Sequence, residues 1–144
     1  MNTIRNELKL FDSIIMEIDA LYSELAKRSG LTDSSFWVLY YLTQLDEEIT
    51  QKSICDQWAL SKQTVNNAIH DLQKKGYIYL IESQRDRRSK QICLTPSGAE
   101  FTELHIKKIF AMEESIFSQM SPKERKHLIS SNETYLHFLR QELL

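Results

Sequence analysis

The chain has 144 residues, 42% of them hydrophobic, and a formal net charge of −2. That length suffices for one packed domain, and no run approaches the roughly 18 uncharged apolar residues of a membrane-spanning helix. Two cysteines give no disulfide framework, and the start M-N-T-I-R-N-E-L-K lacks the apolar centre of a secretory signal, so a cytoplasmic protein that does not engage a membrane is expected.

The first predicted element is a helix. Ile4, Leu8, Phe11, Ile15, Ile18, Tyr22 and Leu25 alternate four- and three-residue steps, a heptad-like apolar seam. Arg28-Ser29-Gly30 ends it. Thr32 caps a second helix carrying Phe36, Val38, Leu39 and Leu42. Thr50 caps a short third helix through Trp58, and Ser61 caps a fourth, so that Thr50 to Gly76 reads as a helix-turn-helix.

The fourth helix is two-faced. Val65, Ala68, Ile69 and Leu72 form the stripe that a core would take. Lys62, Gln63, Thr64, Asn66, Asn67, His70 and Lys74 lie opposite, and such donor- and acceptor-rich side chains suit base edges in a major groove. A merely solvated face would look similar. Gly76 falls where a left-handed residue ends a helix.

Tyr77 to Ile81 and Gln91 to Leu94 are β-branched and aromatic runs that predict two strands. Arg85, Asp86, Arg87, Arg88 and Lys90 lie between them, a cationic hairpin tip of the kind that enters a minor groove. Asp86 is expected to pair with Arg88 or cap the turn and so aim the arginines. Thr50, Gln51 and Lys52, at the start of the third helix, and Ser61 complete the candidate DNA contacts.

A long helix is predicted from Pro96 to about Gln119. Ser121-Pro122-Lys123-Glu124 is a capping box that opens a last helix to Leu143. Apolar terminal helices need covering, and a homodimer would do it through Ile4, Leu8 and Phe11 at one end and Leu128, Tyr135, Leu136, Leu139 and Leu143 at the other. Charge is segregated too. Seven basic residues face three acidic ones between Ser61 and Ile92, against 11 basic and 17 acidic elsewhere. A basic reading unit on an acidic frame binds phosphate locally without a basic pI.

With these residues in order, the chain resembles the MarR (multiple antibiotic resistance regulator) family of winged helix-turn-helix transcription factors. The resemblance rests on Leu72-Gln73-Lys74-Lys75-Gly76-Tyr77-Ile78, on Asp86-Arg87-Arg88 followed by Leu94-Thr95-Pro96-Ser97-Gly98, and on Met120-Ser121-Pro122-Lys123-Glu124-Arg125. One departure is the absence of the proline that often precedes the wing aspartate. The resemblance implies a mainly α fold with a two-stranded wing. Residues 31–95 would form the DNA-binding region, and 1–30 with 96–144 the dimerisation helices of a single domain. It implies a ligand-responsive repressor that binds a pseudo-palindromic operator as a homodimer. It also implies a small-molecule effector between the dimer helices and the winged region, where Phe11, Met16, Phe36, Trp37, Tyr40 and Tyr41 would supply walls. An aromatic stripe at helical spacing equally makes core.

No catalytic constellation is visible: there is no phosphate-cradling glycine loop, HExxH or CxxC, and no cofactor is expected. His70, His105, His127 and His137 have no ligand spacing. Glu103 and His105 could join acids of the first helix in a metal site only by analogy with zinc-binding relatives, so no metal is expected. Peroxide-sensing relatives use a cysteine in the first helix, which here has none. Cys55 is expected on the buried side of the third helix, and Cys93, with basic neighbours, is the better thiol candidate. A redox- or metal-responsive regulator and a winged-helix protein-interaction module are the alternatives.

Overall fold

The computed structural model describes residues 2–45 and 47–144. Seven helices and a two-stranded antiparallel sheet follow one another among these residues. Contacts divide the chain into two compact units, one ending at Ile106 and the other beginning at Lys107.

The first unit opens with α1 (Thr3–Arg28), capped by the Asn2 side chain, which accepts from the Arg5 N–H. Gly30, at φ +74°, reverses the chain, and the Leu31 N–H returns to the Ala26 carbonyl at 3.0 Å. Helix α2 (Asp33–Gln44) is the centre of the unit. Phe36, Val38 and Leu39 are fully enclosed, because α2 is packed by α1, by α4 and by the segment after α5.

Helix α3 (Gln51–Trp58) starts with a capping box. The Thr50 hydroxyl accepts from the Ser53 N–H, and the Ser53 hydroxyl accepts from the Thr50 N–H. Ala59, at φ +51°, makes the tight turn into α4 (Lys62–Lys74). The stripe foreseen on α4 is the buried one: Val65, Ala68, Ile69 and Leu72 pack towards α2 and α3. Burying Val65, Ile69 and Leu72 contributes about 1.5–3 kcal/mol each.

Strand β1 is Ile78–Glu82 and β2 is Lys90–Leu94, paired from Ile78–Leu94 to Glu82–Lys90. The first strand begins one residue later than the sequence pattern suggests. The Tyr77 N–H is already spent on the Leu72 carbonyl at 3.0 Å, closing α4 around Gly76. A third segment joins the wing. The Ile92 N–H donates to the Ile49 carbonyl at 2.8 Å, and Thr50 forms a bridge to Gln91.

The long helix expected after the wing is not uniform. Helix α5 (Pro96–Phe101) passes into a π-helical segment, Thr102–Ile106, before α6 (Lys107–Gln119). The Thr102 hydroxyl donates to the Ala99 carbonyl at 2.9 Å, a side-chain bond to the backbone that competes with the α-helical ladder. Phe101 is stacked on Tyr77 and in contact with His105, with ring centroids 4.4 and 4.5 Å apart.

The second unit holds α6 and α7 (Pro122–Leu143). Ser121 and Glu124 form the expected capping box, and the Arg125 guanidinium donates to the Phe117 and Met120 carbonyls at the exit from α6. No residue of α7 is buried.

Candidate nucleic-acid interface

Helix α4 presents Lys62, Gln63, Asn66, Asn67, His70 and Lys74 to solvent, with Thr64 half-buried. Ser61 fixes the start of this face, since its hydroxyl accepts from the Thr64 N–H at 3.1 Å and bonds the Thr64 hydroxyl at 2.7 Å. Two amide pairs order it further. Gln63 donates to the Asn67 side-chain oxygen at 3.0 Å, and Gln51 of α3 donates to that of Asn66. Each asparagine keeps both amide hydrogens and a second lone pair, so the bidentate pattern that matches adenine stays open.

The depth of α4 is set from behind. The hydroxyl of fully buried Ser35 donates to Asp71 at 2.9 Å, and Lys75 bonds the other carboxylate oxygen at 2.6 Å. Burial works against the Asp71 charge, but donation from Lys75 and Ser35, with the charges of Lys75 and Lys74, outweighs it and holds the pKa below the ordinary value. The resulting stability is present above the unfolded pKa, near 3.9, and is lost as pH falls through the lower folded value. Asp71→Asn should therefore lower the urea midpoint at pH 7, with the gap to the parent closing in acid. A gap that persists unchanged to about pH 2, below both carboxyl pKa values, would remove the charge from this account.

The wing tip is a built turn. Asp86 caps it: one carboxylate oxygen accepts from the Arg88 N–H at 3.0 Å and the other from the Ser89 hydroxyl at 3.4 Å. Of the two roles expected for Asp86, this is the capping one. Ser83, just 3% exposed, accepts from the Arg85 and Asp86 N–H groups and donates to Glu48. Glu48 also approaches the Arg85 guanidinium at 3.9 Å. Arg87, Arg88 and Lys90 stay exposed beside this scaffold.

Glu48, Ser83, Ser35 and Asp71 were not singled out in the sequence. Ser83-x-x-Asp86 is a local turn signal that could have been used. Glu48 lies 35 residues from Ser83 and had no local signal.

The remaining candidates fall in several places. Thr50 and Gln51 are half-buried at the start of α3, while Lys52 is exposed. Phe36, Tyr40 and Tyr41 are buried, Trp37 and Phe11 half-buried, and Met16 is 71% exposed. Trp37 and Tyr40 pack with Trp58 in a ring cluster. The Tyr41 phenol is pushed above its ordinary pKa, by burial first, against a hydrogen bond with Ser53 and with a further push from Glu47. Ile4, Leu8, Leu128, Tyr135, Leu136, Leu139 and Leu143 are all exposed apolar residues. Cys55 is half-buried rather than enclosed, as is Cys93. Among the described residues no group of three or more His, Cys, Asp or Glu side chains could hold a metal ion, and no helix is long and apolar enough to cross a membrane.

A MarR family model matches residues 29–89, from the end of α1 to the wing tip. The HTH-type transcriptional regulator SarZ of Staphylococcus haemolyticus is 30% identical over 129 residues, covering 83% of this chain and 84% of that protein. The chain belongs to the MarR family. MepR of S. aureus in a DNA-binding conformation superposes with a TM-score of 0.77 at 26% identity, over 92% of this chain and 98% of that one. A MepR–DNA complex gives 0.73 at 26% identity, over 91% and 96%. NMB1585, a MarR family regulator of Neisseria meningitidis, shares the fold with a TM-score of 0.79 at 23% identity, over 95% and 96%. The winged helix of this MarR-family chain is thus the one its sequence pattern predicts.

Proposed function

We propose that this MarR-family chain, a DNA-binding transcriptional regulator, works as a cytoplasmic homodimeric repressor of a pseudo-palindromic operator and catalyses no reaction. The observation that carries the reading is a polar, pre-ordered face on α4 beside a turn that holds Arg87 and Arg88 outward. Gln63, Thr64, Asn66 and Asn67 read bases in the major groove, while Lys62 and Lys74 position α4 on phosphates. Arg87 and Arg88 meet the minor groove, with Asp86 fixing the turn that bears them.

The exposed apolar residues of α1 and α7 support dimerisation, because water-facing rows of Leu, Ile, Tyr and Phe at this density need a partner surface. Two copies of α4 would then lie about 34 Å apart, one turn of DNA. A small-molecule effector near the aromatic cluster of α2 would shift the population towards dimers whose reading helices miss consecutive grooves.

Selection of genomic fragments by the purified protein tests this directly, with Arg88→Ala and Asn67→Ala in parallel. A recovered pseudo-palindrome is expected. Arg88→Ala should weaken all DNA and reduce the salt slope by about one. Asn67→Ala should surrender about 1–3 kcal/mol of discrimination at one base position. Equal losses on specific and random DNA for both variants would sink the division of labour, and no enrichment at all would turn attention to an acidic protein partner.

A further inference from the structure

A cleft of about 550 Å³ opens between the start of α3, the start of α4 and the wing tip. Its lining includes Lys52, Lys62, Arg88 and Lys90, together with Cys55 and Asp86. The charge balance is one-sided. Asp86 is committed to its own turn, through the Arg88 N–H and the Ser89 hydroxyl. The four cations form no ion pair among the described residues, whereas Arg85 has Glu48 and Lys75 has Asp71.

Four positive groups against one carboxylate leave the recess strongly net positive, a site for concentrated negative charge. The volume is of small-ligand size, within the roughly 300–1,000 Å³ of ordinary binding pockets. It exceeds what one backbone phosphate would fill, and the half-buried Cys55 forms part of its wall. We propose that this cleft binds a free small polyanion bearing adjacent phosphoryl groups, such as a phosphorylated metabolite, and that its occupant competes with DNA. The inference rests on the DNA-binding reading, because Lys52, Lys62, Arg88 and Lys90 are the same cations that would meet the operator backbone. Control here is direct occlusion: the ligand takes the phosphate contacts away without moving the reading helices. Selectivity for a compact polyanion follows from having several lysines and an arginine converge on one volume.

The probe is inorganic pyrophosphate, titrated into the free protein by calorimetry at constant ionic strength set with chloride, and the second reading is N-ethylmaleimide labelling mapped by peptide mass. One equivalent should bind, and Lys52→Ala/Arg88→Ala should weaken it by roughly ten-fold or more. Pyrophosphate should slow labelling of Cys55 and leave Cys93 unchanged. It should also lower affinity for DNA more than matched chloride does. Absence of saturable binding, equal binding by the double variant, or protection of Cys55 by DNA but not by pyrophosphate would each overturn the proposal. The titration and labelling with pyrophosphate contain no DNA, so their failure is separable from a failure of the operator reading.

Discussion

Gly98→Ala is expected to cost about 3 kcal/mol or more, at the upper end of overpacking effects. A Cβ at position 98 would lie 1.9 Å from the Tyr77 carbonyl oxygen and 2.8 Å from its carbon. Both are backbone atoms, and the carbonyl is held in place by the Thr95 N–H at 3.0 Å. Relief requires either the start of α5 or the exit from α4 to shift. Thermal unfolding should show a fall of roughly 10 °C, taking about 2–4 °C per kcal/mol for a chain near this size. Gly76→Ala is the control. Nothing lies within 4 Å of its Cβ position, so it should cost just the left-handed conformation at φ +76°, roughly 1–2 kcal/mol. A loss at position 98 no greater than at position 76 would mean that the close approach is readily relaxed.

The second large effect concerns binding. Ser83→Ala removes one hydroxyl that uses its full capacity, one donation to Glu48 and two acceptances from the turn. Two backbone N–H groups and a largely enclosed carboxylate would lose their partner, at a cost of about 1–3 kcal/mol. The tip amides should then exchange hydrogen faster, and DNA affinity should fall by roughly ten-fold as the arginines lose their fixed presentation. Ser83→Thr keeps the hydroxyl and should restore much of both. Faster exchange at the tip with undiminished affinity would mean that Arg87 and Arg88 act as untethered charges.

Much of this was legible in the sequence because it is local. Ser61, Thr50, Ser121 and Glu124 cap the helices foreseen for them, and the stripe Val65-Ala68-Ile69-Leu72 is the buried one. Periodicity and capping act within a few residues, so they leave a readable trace. What escaped depends on residues far apart in the chain. Glu48 reaching Ser83, Ser35 reaching Asp71 and the cleft around Cys55 arise when separate elements meet. The π-helical turn at Thr102–Ile106 was hidden for another reason. Its residues fit an amphipathic helix as well as their neighbours do, and the apolar pattern does not reveal one widened turn.

The strand-like contact of Ile49 and Thr50 with the wing makes the hairpin a three-segment structure. A two-stranded hairpin alone is marginal in water. Here one ladder also holds the residues that cap α3, so opening the wing means loosening the entrance to the helix-turn-helix. By linkage, anything that holds the tip closed also protects the start of α3, and whatever holds α3 protects the tip in return. The wing and the entrance to the helix-turn-helix therefore open together, as one cooperative unit and not as two independent ones.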